Sequence, residues 1–373
     1  MQYRKFGETG VKISALGFGA MRLPEYEKEG KWFIHEEESI KMIHKSFELG
    51  VNYIDTAYPY CHGNSEYVVG KSLKGYRDQV YLASKMPTWA VKDQGDYRKF
   101  LEEQLTKLDT THIDFYHFHG LNKERWENTV LKYNLLKEAQ KAKEEGLIKH
   151  ISFSFHDKPA FLKELVDVGI FESVLCQYNL LDRSNEEAIS YAQEKGLGTV
   201  IMGPIGGGRL AAPSHILKKS VNEDIKSTPE IAMRFVLGNK NVNCSLSGMN
   251  SINMVEENAS VASIEKPLSQ KDWDKINAML EDTKKLAELY CTGCDYCMPC
   301  PKDIKIPWVF QLMNYHKVYG LTEYAKNQFA MLGKNTNAGK HPLECTECGL
   351  CEMKCPQKIN IRKQLKQTIE ALR

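Results

Sequence analysis

The sequence predicts an α/β protein: a (β/α)8 barrel followed by a small cysteine-rich helical domain. Eight short β-rich runs alternate with amphipathic helical stretches as far as residue 263. Several of those helical stretches stop at a glycine suited to the position just past a helix end. Beyond Ile264 the alternation gives way to helical patterns and two clusters of four cysteines. Eight strands with eight crossovers is the count of a closed parallel barrel, with a doubly wound open sheet as the rival.

The strand runs, in order, are ALGFGA from Ala15, VNYIDTA from Val51, VYLASK from Val80 and IDFYHFH from Ile113, then IKHISFS from Ile148, SVLCQYN from Ser173, GTVIMGP from Gly198 and VNCSLSG from Val242. Each is rich in β-branched or aromatic residues and bounded by turn formers. Between them, EEESIKMIHKSFELG, KYNLLKEAQKAKEEG and NEEAISYAQEKG carry helical periodicity and a terminal glycine. The later stretch EKPLSQKDWDKINAMLEDTKKLAEL reads as a helix, residues 306–332 read as helical with Pro307 in the first turn, and 361–373 form a basic amphipathic helix. The expected division is 1–264 for the barrel, 265–288 for a connecting helix and 289–373 for the cysteine domain.

Length and charge exclude several function classes. At 373 residues the chain exceeds one ordinary core. Fifty basic residues against 48 acidic ones leave +2, which gives nucleic acid or an anionic membrane surface no hold. No apolar run reaches the ~18 residues of a spanning helix, and the polar start MQYRKFGETG lacks a signal-peptide pattern. Cytoplasm is the expected location, and eleven cysteines kept reduced there favour metal ligation over disulfides.

In such a barrel, chemistry collects where the strands end. Those positions hold Asp55, Lys85, His119, Ser154, Gln177 and Ser247, with Tyr60 just past Asp55. A carboxylate, an amine, a phenol and an imidazole on one rim suit proton transfer to a carbonyl oxygen. A tyrosine near pKa 10 needs a cation beside it to act as an acid near neutrality, and Lys85 held by Asp55 supplies one. Taken singly, a buried Asp–Lys pair, a core histidine or a packed tyrosine would each be ordinary structure; their joint placement points to catalysis.

These motifs, YIDTAYPY with NSEYVVGKSL, LASK and IDFYHFH, together with the opening YRKFGETGVKISALGFGAMRL, resemble the aldo/keto reductase family over residues 1–263. The resemblance implies a catalytic tetrad of Asp55, Tyr60, Lys85 and His119. His117 stands where the family is usually apolar and receives no role. For a nicotinamide dinucleotide the resemblance implies Ser154 and Gln177 at the carboxamide. It implies Gly203, Gly206, Gly207 and Gly208 of GPIGGGRL at the pyrophosphate, and Ser247, Glu257 and Asn258 at the adenosine end. Phe155 replaces the family's asparagine and Met254 replaces the arginine that commonly pairs the 2′-phosphate, which leaves NADP and NAD both open. Glycines also suit a plain flexible turn.

CTECGLCEMKCP, from Cys345, has the C-x2-C-x2-C-x3-C-P spacing of [4Fe–4S] ligation in bacterial ferredoxins. CTGCDYCMPCP, from Cys291, is one residue shorter before its last cysteine. In two-cluster ferredoxins the fourth cysteine serves the other cluster. The expected sets are therefore Cys291, Cys294, Cys297 and Cys355 for one cluster, and Cys345, Cys348, Cys351 and Cys300 for the second. Zinc is the alternative, but structural zinc sites use separated pairs of ligands. The 44 or so residues between the runs resemble an α-helical dicluster ferredoxin-like domain. Cys61, Cys176 and Cys244 read as small apolar residues, Cys61 alone warranting a check for reactivity.

The whole resembles an iron–sulfur branch of the aldo/keto reductases. That implies an oxidoreductase acting on a small carbonyl or alcohol, with two [4Fe–4S] clusters linking it to ferredoxin or another redox protein. Two other readings stay open: a nicotinamide-only reductase with structural clusters, and a non-enzymatic redox-sensing or electron-transfer module. The intact tetrad argues against the last. Trp89 and Trp126, in the loops after Lys85 and His119, suggest an apolar or aromatic substrate group.

Overall fold

The computed structural model describes residues 1–373 except 212, 220, 222–224, 291–296, 335–337 and 356–358, with backbone alone at 215 and 283–290. The eight strands are β1 (Leu16–Gly19), β2 (Tyr53–Asp55), β3 (Tyr81–Met86), β4 (Ile113–Leu121), β5 (Ile148–Phe155), β6 (Ser173–Gln177), β7 (Gly198–Met202) and β8 (Cys244–Gly248). They pair in parallel in chain order, and β8 returns to β1, so the sheet closes. The open-sheet rival is thereby excluded.

Helices α1 (Glu36–Glu48), α2 (Ser65–Ser72), α3 (Asp96–Lys107), α4 (Leu135–Glu144), α5 (Pro159–Asp167), α6 (Glu186–Glu194), α7 (Thr228–Gly238) and α8 (Ile252–Ala262) alternate with the strands. The glycines expected past α1, α4 and α6 (Gly50, Gly146 and Gly196) all have positive φ, the left-handed turn that lets the chain leave a helix.

A short N-terminal hairpin, Tyr3–Lys5 paired with Lys12–Ser14, plugs the barrel at the strand N-termini. Its Phe6 is fully buried and meets Phe115 and Tyr53 edge-on at 4.9 and 6.2 Å. Gly198 is required opposite it, since a Cβ there would stand 2.4 Å from the Phe6 ring. Around this plug lie Ile13, Leu175, Val200 and Cys244. Cys176 and Cys244 are wholly buried, and burial pushes the Cys176 thiol up to about 12 and that of Cys244 higher, so both act as apolar side chains. Cys61 is likewise buried, its thiol pushed to about 11.

A second hairpin, Glu25–Lys28 with Lys31–Ile34, follows β1. It was not legible in the sequence, because LPEYEKEGKWFIHEEE is charged and largely exposed and lacks a clean alternation.

The chain divides into two compact units. The barrel unit is 1–206 with 232–267, and the second is 207–231 with 268–373. In the second unit lie α9 (Gln270–Tyr290), α10 (Ile306–Lys317), α11 (Thr322–Ala330) and α12 (Ile361–Leu372). The single helical stretch expected over 306–332 is broken at Gly320, whose φ of +64° turns the chain. Phe310, Leu312, Met313, Tyr315, Phe329 and Leu365 form its apolar interior. The segment 207–231 is bound into this unit: Arg209 Nη1 donates to the Tyr315 hydroxyl at 2.5 Å, and Ser214 Oγ donates to the Tyr319 carbonyl at 2.8 Å. Among the described residues no helix is long and apolar enough to cross a membrane.

Candidate functional site

Strand pleating decides which residues share the barrel interior. Side chains two apart face the same way, so Tyr53 and Asp55 on β2, Ala83 and Lys85 on β3, and Phe115, His117 and His119 on β4 climb from the plug to the rim. Lys85 and His117 are register partners. Lys85 Nζ donates to Asp55 Oδ1 at 2.5 Å and to the Thr56 carbonyl at 2.8 Å, with both side chains 1 % exposed. Burial opposes charge on Lys85, but Asp55 and Tyr60 outweigh it and hold the ammonium above its ordinary range. Burial likewise pushes the Asp55 carboxyl upward while Lys85 pulls it back.

Tyr60 stands at the start of a tight turn, Tyr60–Gly63. Cys61 and His62 within it take φ of +50° and +56°, a left-handed conformation that non-glycine residues adopt at a cost of order 1–3 kcal/mol each. The His62 ring stacks on Trp32 of the second hairpin at 5.3 Å, so the hairpin braces this turn. The Lys85 ammonium lies 4.7 Å from the centre of the Tyr60 ring. Burial pushes the phenol up and Lys85 pulls it down, and burial wins. The phenol is therefore a proton carrier at neutral pH, with a cation beside it to steady the phenolate it would become.

His119 meets Tyr60 edge-on at 6.0 Å and Trp89 at 4.9 Å. Burial and then Lys85 depress it to about 2, so the imidazole is neutral and can donate an N–H to an oxygen. The Thr88 hydroxyl donates to the His119 carbonyl at 2.6 Å, which fixes Trp89 over the ring. Trp126 turns instead toward Phe171 at 6.1 Å and packs, leaving Trp89 as the tryptophan over His119. His117, one layer down, approaches the Tyr53 hydroxyl at 3.5 Å and is pushed to about 3 by burial.

The dinucleotide positions are only partly assembled within the barrel unit. Ser154 Oγ accepts from the Gly120 N–H at 2.7 Å and keeps its own hydrogen to donate. Gln177 ends β6 under Gly203, where a Cβ would lie 3.7 Å from its amide. Asn258 Nδ2 donates to Ser247 Oγ at 3.1 Å, while Glu257 and Met254 are exposed on α8. Gly203, Gly206, Gly207 and Gly208 all have positive φ, so the run needs glycine on conformational grounds. Gly203 and Gly206 belong to the barrel unit, and Gly207 and Gly208 to the second unit. Within the barrel unit, Ser154, Gln177, Ser247 and Asn258 put hydroxyl and amide groups at the strand ends, donors and acceptors of the kind a dinucleotide takes.

In the second unit, Cys297, Cys300, Cys345, Cys348 and Cys351 line one small cavity. Its other walls include Ile304, Ile306, Leu350 and Leu365, with Lys302 and Arg362 at the side. Arg362 is locked by Glu352, which accepts from Nε at 3.0 Å and Nη2 at 2.8 Å. Thiols in a mostly apolar cavity with two cations fit an anionic iron–sulfur cluster. Cys300 lines the cavity together with the second run, and so does Cys297, expected on the other cluster, so the lining does not separate the two expected ligand sets. Cys355 is half-buried, and Cys291 and Cys294 lie outside the described residues. No three such side chains converge as on a single ion among the described residues.

Nothing in the sequence marks Arg125, whose guanidinium carbon lies 5.7 Å from the centre of the Trp89 indole. Nor does it mark the Trp32–His62 brace, because pairing between distant loops leaves no periodic trace.

Comparison with known proteins agrees with the fold. Residues 15–281 match the aldo/keto reductase family, and residues 290–360 match a 4Fe-4S dicluster domain. L-galactose dehydrogenase of Arabidopsis thaliana is 28 % identical over 323 residues, covering 77 % of this chain and 96 % of that protein. Versiconal hemiacetal acetate reductase of Aspergillus parasiticus is 28 % identical over 248 residues, covering 57 % and 70 %. The holo form of aldo-keto reductase AKR11C1 from Bacillus halodurans superposes with a TM-score of 0.65 at 26 % identity, covering 74 % of this chain and 96 % of that one. With a closed eight-strand barrel, a family match over most of its length and a cluster-type cysteine unit beyond it, this chain belongs to the aldo/keto reductase family and carries a C-terminal 4Fe-4S dicluster domain.

Proposed function

We propose that the chain reduces a small carbonyl compound, or oxidises the corresponding alcohol, with Tyr60 as the proton donor. The observation that carries this reading is the buried Lys85–Asp55 pair set against the Tyr60 phenol, with neutral His119 across from it. A bound nicotinamide dinucleotide supplies the hydride in the reducing direction and accepts it in the other. Ser154 and Gln177 would hold its carboxamide, the glycine run its pyrophosphate, and Ser247, Glu257 and Asn258 its adenosine end. His119 donates to the substrate oxygen and orients it. Tyr60 passes its proton to that oxygen as the carbonyl becomes an alcohol, and Lys85 stabilises the phenolate left behind. Asp55 keeps Lys85 charged and in place.

Cys291, Cys294, Cys297 and Cys355 would hold one [4Fe–4S] cluster, and Cys300, Cys345, Cys348 and Cys351 the second. Bound clusters supply single-electron exchange, which suits a link to ferredoxin or a similar carrier. Tyr60→Phe should lower kcat at least ~10²-fold with aldehydes and NADPH or NADH, the usual size of a lost general acid. Unchanged turnover would remove Tyr60 from the role.

A further inference from the structure

We infer that Arg125 receives a carboxylate of the substrate, so that the pocket mouth selects carbonyl compounds bearing a carboxylate next to or near the reacting carbon. The inference deepens the reductase reading of Tyr60 and His119 and rests on it.

Arg125 is built into place. Its backbone N–H is capped by Asn122 Oδ1 at 2.8 Å, and its Nη1 donates to the Gly120 carbonyl at 2.9 Å. Gly120 directly follows His119 and has φ of +64°. A Cβ on Gly120 would stand 2.6 Å from Arg125 Nη1 and 3.6 Å from the His156 ring, so glycine makes room for the guanidinium. The guanidinium carbon lies 5.7 Å from the centre of the Trp89 indole, the same ring that stands 4.9 Å from His119. Arg125 is thus fixed one ring away from the imidazole that would hold the carbonyl.

Its remaining donors, Nε and Nη2, meet no hydrogen-bond acceptor among the described residues. They form the planar side of the guanidinium, which matches the two oxygens of a carboxylate. Of the groups around His119, burial lowers His117 and His156 and keeps them uncharged near neutrality, and Lys85 is already paired with Asp55. Arg125 is the cation left at this end to draw in an anion. The dinucleotide phosphates are a poor occupant, since Arg125 follows β4 and the glycine run follows β7, three strands away round the barrel.

The test uses the full chain purified anaerobically with its clusters. Benzoylformate and its methyl ester serve as substrates, and benzoate and benzamide as binding probes followed by tryptophan fluorescence. The wild type should favour benzoylformate over the ester and bind benzoate but not benzamide. Arg125→Gln should cost benzoylformate on the order of 10- to 100-fold in kcat/KM, the worth of a charge-assisted pair, mostly through KM. The ester should lose far less than the acid, and Arg125→Lys should keep part of the preference. Retained ester turnover also reports that Arg125→Gln is folded. Equal losses on acid and ester, or equal binding of benzoate and benzamide by the wild type, would overturn the inference. If no carbonyl is turned over yet benzoate binds and Arg125→Gln abolishes it, the reductase reading fails and the anion site stands.

Discussion

In the barrel, Lys85 and Asp55 meet at 2.5 Å with almost no exposure, and strand register places both before any ligand arrives. In the second unit, five cysteines line a small cavity walled by loops and helices. The barrel site is finished by its own side chains. The cysteine site is a set of donors around a space, and its stability is shared with whatever fills it. A group held by register can be lost one side chain at a time, whereas a group held by ligands is lost together.

The sharpest break between the two should come from stripping the clusters. Anaerobic treatment with an iron chelator should abolish the cooperative unfolding of the second unit while the barrel's own transition survives, read by circular dichroism against temperature. Loss of both transitions together would mean that the two are not thermodynamically separable. Within the cysteine unit, Cys300→Ser and Cys345→Ser should each reduce iron from about eight to about four per chain, by the count of two four-iron clusters. The double variant should lose no more than either single one; a fall toward zero would place them on different clusters.

Next in size is the buried pair. Lys85→Met leaves Asp55 as an uncompensated buried carboxylate, which costs about 3–5 kcal/mol. The double variant Lys85→Met/Asp55→Asn should recover most of that in urea unfolding. Equal stability of the single and double variants would mean that the pair is not an ion pair.

The smallest effect tests whether barrel charges act locally. Burial pushes Glu172 up, but His150 Nδ1 at 2.8 Å, Lys143 Nζ at 2.6 Å and the Ile151 N–H at 3.1 Å outweigh it and hold the carboxyl at about 2. A depressed carboxyl stabilises the fold above its unfolded value near 4.3 and loses that contribution as pH falls toward 2. Glu172→Gln should cost about 1–3 kcal/mol at neutral pH and flatten the acid limb of the stability curve. An unchanged acid limb would assign acid lability elsewhere.

What the sequence disclosed follows the same divide. The strands and the helices of the barrel unit were readable because pleat and helix periods write themselves into residue order, and Asp55, Lys85 and His119 were readable because a strand end is a fixed address. Tyr60 needed only to follow Asp55 closely. Arg125 was not readable: a cap, a glycine and a distant tryptophan decide where its side chain goes. The hairpin after β1 was hidden for a related reason, since its aromatic residues stack on one another and on His62 instead of entering the core.

The segment 207–231 carries a consequence for how such a protein could be taken apart or inherited. It leaves the barrel after β7, binds Tyr315 and Tyr319 through Arg209 and Ser214, and rejoins the barrel at α7. The two units are therefore interleaved along the polypeptide. A stop codon after Pro267 would remove the partners of Arg209 and Ser214 and strand a loop inside the reading frame of the barrel. A functional excision of the cysteine unit would have to replace that loop as well as cut the tail.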